Sequence, residues 1–265
     1  MRPTAEYRRQ AMADKKPRLA VFKFTGCAGC QMELLRLEDE LLQIAEKLDV
    51  GYFMMAQSTV DLGPYDLCLV EGSVSTPREL EELKKIRAAS QVLIAFGDCA
   101  VCGCVPSIRN WISQHKAESS VYEDTAPIMS FRLQGVAEYV PVDVVLPGCP
   151  PHKNLILEAI TSALQGIRPD LKYHPVCVEC KLRENVCILR SLGKACMGPV
   201  TRAGCGAICP TYWRECEGCY GPMSDANAEY LARLFKKNGM SDDDTVRKFR
   251  KYAGMTDEFR TEAGT

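Results

Sequence analysis

Residues 18–35 read RLAVFKFTGCAGCQMELL: a short apolar run, a turn carrying C-x2-C, and the opening of an apolar-periodic helix. That order of strand, cysteine turn and helix recurs along the chain. Residues 91–99, QVLIAFGDC, and residues 141–149, PVDVVLPGC, each carry a short apolar run onto a glycine and a cysteine. Between and after them lie MELLRLEDELLQIAEKL (32–48), which reads as one long amphipathic helix, YFMMAQS (52–58) and YDLCLVEG (65–72), which read as strands, and PRELEELKKIRAA (77–89) and LILEAITSAL (155–164), which read as helices.

Short apolar strands alternating with helices predict a parallel sheet covered on both faces. This part of the chain, residues 18–168, resembles a flavodoxin-like doubly wound α/β fold. Cys27, Cys30, Cys99 and Cys149 each fall just beyond the carboxyl end of a predicted strand. In an open α/β sheet those ends share one edge, and that edge is where such folds bind ligands. Gly26, Gly29, Gly97 and Gly148 flank the four cysteines and allow close backbone approach to a bulky group. Pro147, Pro150 and Pro151 stiffen the last loop and lead into the next helix.

The next segment, residues 169–223, has little periodicity and much Cys, Gly and Pro. Between Cys177 and Cys219 it places eight cysteines as C-x2-C-x6-C-x8-C-x8-C-x3-C-x6-C-x2-C. A segment with so little apolar periodicity needs bound metal to be ordered, and clustered thiolates suit soft metals or iron–sulfur clusters. Residues 224–265 read as a polar helical tail, NAEYLARLFKK and DDDTVRKFRKYA, with a frayed end. Residues 1–17 read as a disordered start: Arg8-Arg9 is followed by no apolar stretch of signal-peptide kind.

Composition sets the surroundings. The chain has 265 residues, 46% of them apolar and 25% charged, which is ordinary globular usage. A net charge of −1 gives no electrostatic reason for nucleic acid or an anionic membrane as partner, and no apolar run reaches the ~18 residues of a membrane span. A cytoplasmic protein is expected. Fifteen cysteines in a reducing compartment point to metal rather than to disulfides. Neither a G-x-G-x-x-G nor a G-x-x-x-x-G-K-[ST] motif is present, so NAD(P), FAD or ATP is not bound by those devices.

TGCAGCQMELL (25–35), EGSV (71–74), GDCAVCG (97–103) and PGCPPH (147–152) resemble the proximal-cluster motifs of [NiFe] hydrogenase small subunits. CMGPVTRAGCGAICP (196–210) and CEGCYGP (216–222) resemble the cluster domain of the cytoplasmic branch, of bidirectional, sulfhydrogenase or F420-non-reducing type. The resemblance implies an electron-transfer subunit, not catalytic alone, that relays electrons through three [4Fe-4S] clusters to or from a nickel–iron site in a separate large subunit. It implies Cys27, Cys30, Cys99 and Cys149 as proximal ligands, Cys177, Cys180, Cys187 and Cys196 as distal ligands, and Cys205, Cys209, Cys216 and Cys219 as medial ligands. At the distal end it implies a flavoprotein that reduces NAD(P), or another iron–sulfur carrier.

Membrane-bound relatives use a His where Cys177 stands and lack the fourth medial cysteine that Cys209 supplies here. All-thiolate ligation favours a lower potential. Two other readings compete: a respiratory-complex-like iron–sulfur subunit, which shares the first domain but not the eight-cysteine segment, and a structural zinc module built on the C-x2-C pairs. Cys68, inside YDLCLV, reads as a core thiol, whereas Cys102 and Cys104 stand close enough to Cys99 to compete with it as ligands. Glu71 at a strand end faces the cluster in the family or else is a solvated cap. His152 and His174 read as loop histidines rather than ligands, and His115 gives no functional signal.

Overall fold

Side chains alternate across a strand, so each strand of a sandwiched sheet must be apolar on both faces. The computed structural model describes residues 16–58 and 60–264. The expected start at residues 1–17 lies outside them except for Lys16 and Pro17. Five strands, β1 (Arg18–Lys23), β2 (Asp49–Phe53), β3 (Tyr65–Glu71), β4 (Ser90–Phe96) and β5 (Val144–Leu146), pair in parallel in the order β2-β1-β3-β4-β5. This is the flavodoxin-like doubly wound order, whose direction reverses between β1 and β3.

Helices α1 (Gly29–Leu35), α2 (Asp39–Lys47), α3 (Pro77–Ala89), α4 (Asp98–Cys102), α5 (Gln114–Ser119) and α6 (Lys153–Gln165) connect or flank the strands. On one face, Leu34 of α1 and Ile156, Ala159 and Ile160 of α6 pack over Leu19, Val21, Leu67, Leu69 and Ile94. On the other, Leu83 and Ile86 of α3 cover Ala20, Phe22, Cys68, Val70 and Leu93. Cys68 is therefore a core thiol, and burial pushes its pKa up to about 12.

Two elements differ from their sequence reading. Residues 32–48 are not one helix: α1 ends and α2 begins across Arg36–Glu38, where Glu38 takes φ 46°. Leu37 N–H donates to Leu34 O at 3.3 Å and Glu38 N–H to Leu35 O at 3.4 Å, a tightened last turn that lets Leu37 enter the core beside Leu34. The apolar period survives such a break, because both halves still face the sheet. The strand expected over 52–58 stops at Phe53. β2 is an edge strand paired only to β1, and past Phe53 the chain turns through hydrogen bonds from Ala56 and Gln57 N–H to Phe53 O, both 2.9 Å.

The cysteine-rich segment contributes only short helices, α7 (Val176–Leu182), α8 (Ile188–Leu192) and α9 (Ile208–Thr211). Its apolar partners come from the tail helices α10 (Ala228–Lys237), α11 (Asp242–Arg250) and α12 (Asp257–Arg260). Val176, Met197 and Val200 share one core with Phe235, Phe249 and Phe259. The rings of Phe249 and Phe259 meet edge to face, with centroids 5.4 Å apart.

The tail's end is packed rather than frayed. Phe259 and Ala263 are buried, and Arg250 Nε donates to Ala263 O at 2.6 Å. One inward aromatic in a four-residue helix leaves no periodic signal, so the sequence alone does not expose this contact.

Candidate metal centres

Each cysteine of the first domain is placed by the strand that precedes it. After β1, Thr25 and Ser73 pair reciprocally, N–H to O, at 3.1 and 2.8 Å, which fastens the C-x2-C turn to the end of β3. Glu79 reinforces the same turn. It caps α3 through Thr76 and Ser75 N–H and also accepts the Thr25 hydroxyl at 2.8 Å. Glu71, at the end of β3, is buried and accepts Cys30 N–H at 3.0 Å and Gln31 N–H at 3.3 Å. It is thus an inward carboxylate and not a solvated cap. Burial raises its pKa although both N–H groups favour the anion.

Cys27, Cys30, Cys99 and Cys149 converge at the carboxyl edge of the sheet. Burial drives the Cys30 thiol far above its ordinary range, and Glu71 and the thiolates of Cys99, Cys149 and Cys27 push it the same way. Gly97, at φ 83°, lies against this site so closely that a Cβ there would stand 2.2 Å from Cys30 Sγ. No side chain is tolerated at that position.

Asp98 carries no signal of its own in the sequence, yet it locks two of the cysteine loops together. Its N–H donates to Gly148 O at 3.0 Å and its Oδ1 accepts Gly148 N–H at 2.8 Å, so the Cys99 and Cys149 turns are fixed face to face. The carboxyl is buried, Oδ2 has no partner among the described residues, and burial lifts its pKa to about 7. Aspartate after a strand-end glycine is too common a turn signal to reveal this role.

Cys102 and Cys104 part company. The Cys102 thiol points back to Asp98 O at 3.4 Å and toward Tyr252 O, among groups of the tail. Cys104, at φ 47°, is fully buried beside Cys149 and Cys99. The neighbouring thiols and burial raise Cys104, whereas the contact with Cys104 lowers Cys149. Cys104 is therefore a fifth thiol at the proximal edge.

In the second segment, Cys177, Cys180, Cys187 and Cys196 line one small pocket with Val176, Leu189 and Pro210. Gly198 forms part of its wall: a Cβ there would come within 3.4 Å of Cys196 Sγ and 3.5 Å of Cys177 Sγ. Burial, then Cys196, Cys187 and Cys180, push Cys177 up to about 11.

Cys205, Cys209, Cys216 and Cys219 form the remaining group. Glu179 of α7, likewise silent in the sequence, holds its first loop by accepting Gly204 N–H at 2.9 Å and Ala207 N–H at 3.2 Å. Burial raises Cys219, and Cys216, Asp98, Cys205 and Cys149 add to the rise. The group adjoins the previous one, since Cys216 N–H donates to Cys196 Sγ at 3.2 Å.

His152 caps α6 through Nδ1, and its N–H donates to Tyr220 Oη at 2.6 Å, joining the PGCPPH loop to the thiol-rich segment. His174 is half-buried beside the backbone of Pro175, and its carbonyl accepts Ala203 N–H at 2.9 Å. All fifteen cysteines are free thiols. Among the described residues no three His, Cys, Asp or Glu side chains gather as a single ion requires. The thiols instead stand in groups with glycines packed closely against their sulfurs, a soft donor set that fits an iron–sulfur cluster.

Known proteins resemble this chain in sequence and fold. Residues 27–163 match the family described as NADH ubiquinone oxidoreductase, 20 Kd subunit. Sulfhydrogenase 2 subunit delta of Pyrococcus furiosus is 39% identical over 237 residues, covering 89% of this chain and 99% of that protein. A subunit of the vhu F420-non-reducing hydrogenase of Methanococcus voltae is 32% identical, covering 81% of this chain and 85% of that protein. Among solved structures, a chain of an NAD+-reducing [NiFe]-hydrogenase in the H2-reduced state superposes with a TM-score of 0.55 at 29% identity, covering 60% of this chain and 97% of that one. A doubly wound sheet with strand-end thiols and a thiol-rich appendage defines an iron–sulfur electron-transfer subunit. The chain belongs to the 20 Kd-subunit family, as a [NiFe] hydrogenase small subunit. It is part of an oxidoreductase complex, and its relatives imply a large-subunit partner. Among the described residues no helix is long and apolar enough to cross a membrane.

Proposed function

We propose that the chain relays single electrons along three [4Fe-4S] clusters in a cytoplasmic [NiFe] hydrogenase. The observation that supports it is that twelve thiols stand in the strand-end turns and the thiol-rich segment, four of them lining one pocket, with Cys216 N–H donating to Cys196 Sγ at 3.2 Å between two of the groups. Cys27, Cys30, Cys99 and Cys149 would hold the proximal cluster, Cys205, Cys209, Cys216 and Cys219 the medial one, and Cys177, Cys180, Cys187 and Cys196 the distal one. Bound there, the clusters supply one-electron redox capacity, with potentials set by charge, burial and hydrogen bonds to sulfur.

The protein's part is to hold the thiols in place and dry. Glu71, Asp98 and Glu179 pin the three loop systems through backbone N–H groups, and the tail helices seal the thiol-rich segment (residues 169–223) from the far side. Cys27 is exposed, which suits a proximal edge covered by the large subunit. At the opposite end the partner is an electron-accepting flavoprotein or iron–sulfur protein.

Elemental analysis of the anaerobically purified complex tests this reading. About twelve irons per copy of this chain, beyond the large subunit's own, and negligible zinc are expected. About four irons, or stoichiometric zinc, would overturn it.

A further inference from the structure

The outer end of the thiol-rich segment carries an exposed apolar and aromatic patch. Leu182 is 80% exposed and Tyr212 73%, and Val186, Ile208 and Trp213 are exposed as well. Two loops build it. Asn185 Nδ2 donates to Thr211 Oγ1 at 3.0 Å, and the Arg183 guanidinium lies against Gly206, so residues 182–187 and 206–213 stand side by side.

The patch is rigid. Trp213 sits at φ 60°, a conformation that a bulky residue rarely adopts, and is kept there by Trp213 N–H to Pro210 O at 3.0 Å and Arg214 N–H to Cys209 O at 2.9 Å. An exposed aromatic held in an unfavourable backbone state is a common feature of binding surfaces. Cys187 reaches solvent here, and Cys209 lies half-buried between Ile208 and Tyr212.

Charge selects the partner. Over residues 181–214 the exposed charged side chains are Lys181, Arg183, Arg190, Lys194 and Arg214, against Glu184 alone. None of the five cations forms an ion pair among the described residues. The whole chain carries −1, so this end is basic on a slightly acidic molecule. A second copy of the chain would set these cations against their own kind.

We propose that this patch docks an acidic redox protein, its carboxylates against the five cations and its apolar contacts on Leu182, Tyr212 and Trp213. The proposal deepens the electron-relay reading and rests on it, because only a relay ending at the distal group, whose Cys187 is exposed here, gives a redox partner reason to bind there. Electrostatic complementarity of this kind speeds encounter and fixes register, and weakens as salt rises.

The test uses the assembled hydrogenase complex and, as probe, an acidic ferredoxin. Zero-length carbodiimide coupling, which joins lysine amines to carboxylates, should link Lys181 or Lys194 to an acidic residue of the ferredoxin. Lys181→Glu with Arg214→Glu, and separately Trp213→Ala, should raise the KM for that protein acceptor about tenfold at low salt. Hydrogen-dependent reduction of a small dye and the iron content should stay unchanged. Coupling only to another copy of this chain, binding to anionic vesicles in place of the acidic protein, or an unchanged KM in all variants would overturn the docking proposal. Loss of iron or of dye reduction in the wild type would instead overturn the relay reading.

Discussion

Four cysteines with one role and three with others sit within the same fold, and the difference lies in what each sulfur meets. Cys99 stands at the sheet edge beside Cys30, Cys102 turns back to Asp98 O, and Cys68 is sealed in the sheet's core. Cys99→Ser should therefore remove or convert the proximal cluster and abolish hydrogen-dependent reduction of the distal acceptor, while the two other clusters persist. Cys68→Ser and Cys102→Ser should keep all three, and paramagnetic resonance of the reduced complexes reads the outcome. A normal proximal signal in Cys99→Ser would refute the assignment. Cys104 differs again, because its thiol is buried beside Cys149, within reach to donate to that sulfur. Hydrogen bonds to cluster sulfur raise the potential. Cys104→Ala should leave the iron content intact and move the proximal potential downward, whereas Cys104→Ser, which can still donate, should move it less; redox titration distinguishes them.

At the scale of elements, the tail helices supply apolar mass that the thiol-rich segment lacks. Phe249 is fully buried between Phe235 and Phe259, so Phe249→Ala should cost about 3–5 kcal/mol through lost contacts and a cavity. Its effect should be local. The medial and distal signals should decay on warming before the proximal one does, and simultaneous loss of all three would contradict a core separate from that of the sheet. Glu217 ties this tail to the C-x2-C turn at Cys216, accepting Lys248 Nζ at 2.8 Å and Lys251 Nζ at 2.9 Å. Burial opposes its ionisation, but the two lysines win and hold its carboxyl below the ordinary range. Lys248→Met should accordingly loosen the tail, detectable as faster amide exchange over residues 242–263.

For the molecule as a whole, thiols stand both at the carboxyl edge of the sheet and at the basic outer patch, where Cys187 is exposed. Catalysis is divided to match. Expressed without its large subunit, the chain should bind iron yet show no hydrogen-dependent dye reduction, and restoring the large subunit should restore it. Hydrogen uptake by the isolated, nickel-free chain would contradict this division. The exposed Cys27 edge and the patch around Trp213 should both show slower amide exchange on assembly, the first with the large subunit and the second with the acidic acceptor.

Strand–helix alternation determined the sheet and its parallel sense, because burial on two faces leaves a periodic mark in sequence, and the cysteine positions after three strands marked the sheet edge where thiols gather. Glu71 was legible as a strand-end residue but not as the acceptor for Cys30 and Gln31 N–H. Asp98, Glu179 and Cys104 were decided only in three dimensions: their roles depend on Gly148, Gly204 and Cys149, up to 50 positions away, and a hydrogen bond across that distance imposes no local pattern. The same holds for the break at Glu38 and the packed end at Phe259. An apolar period records which face is buried, and tertiary packing alone records where the chain turns and what it finally rests against.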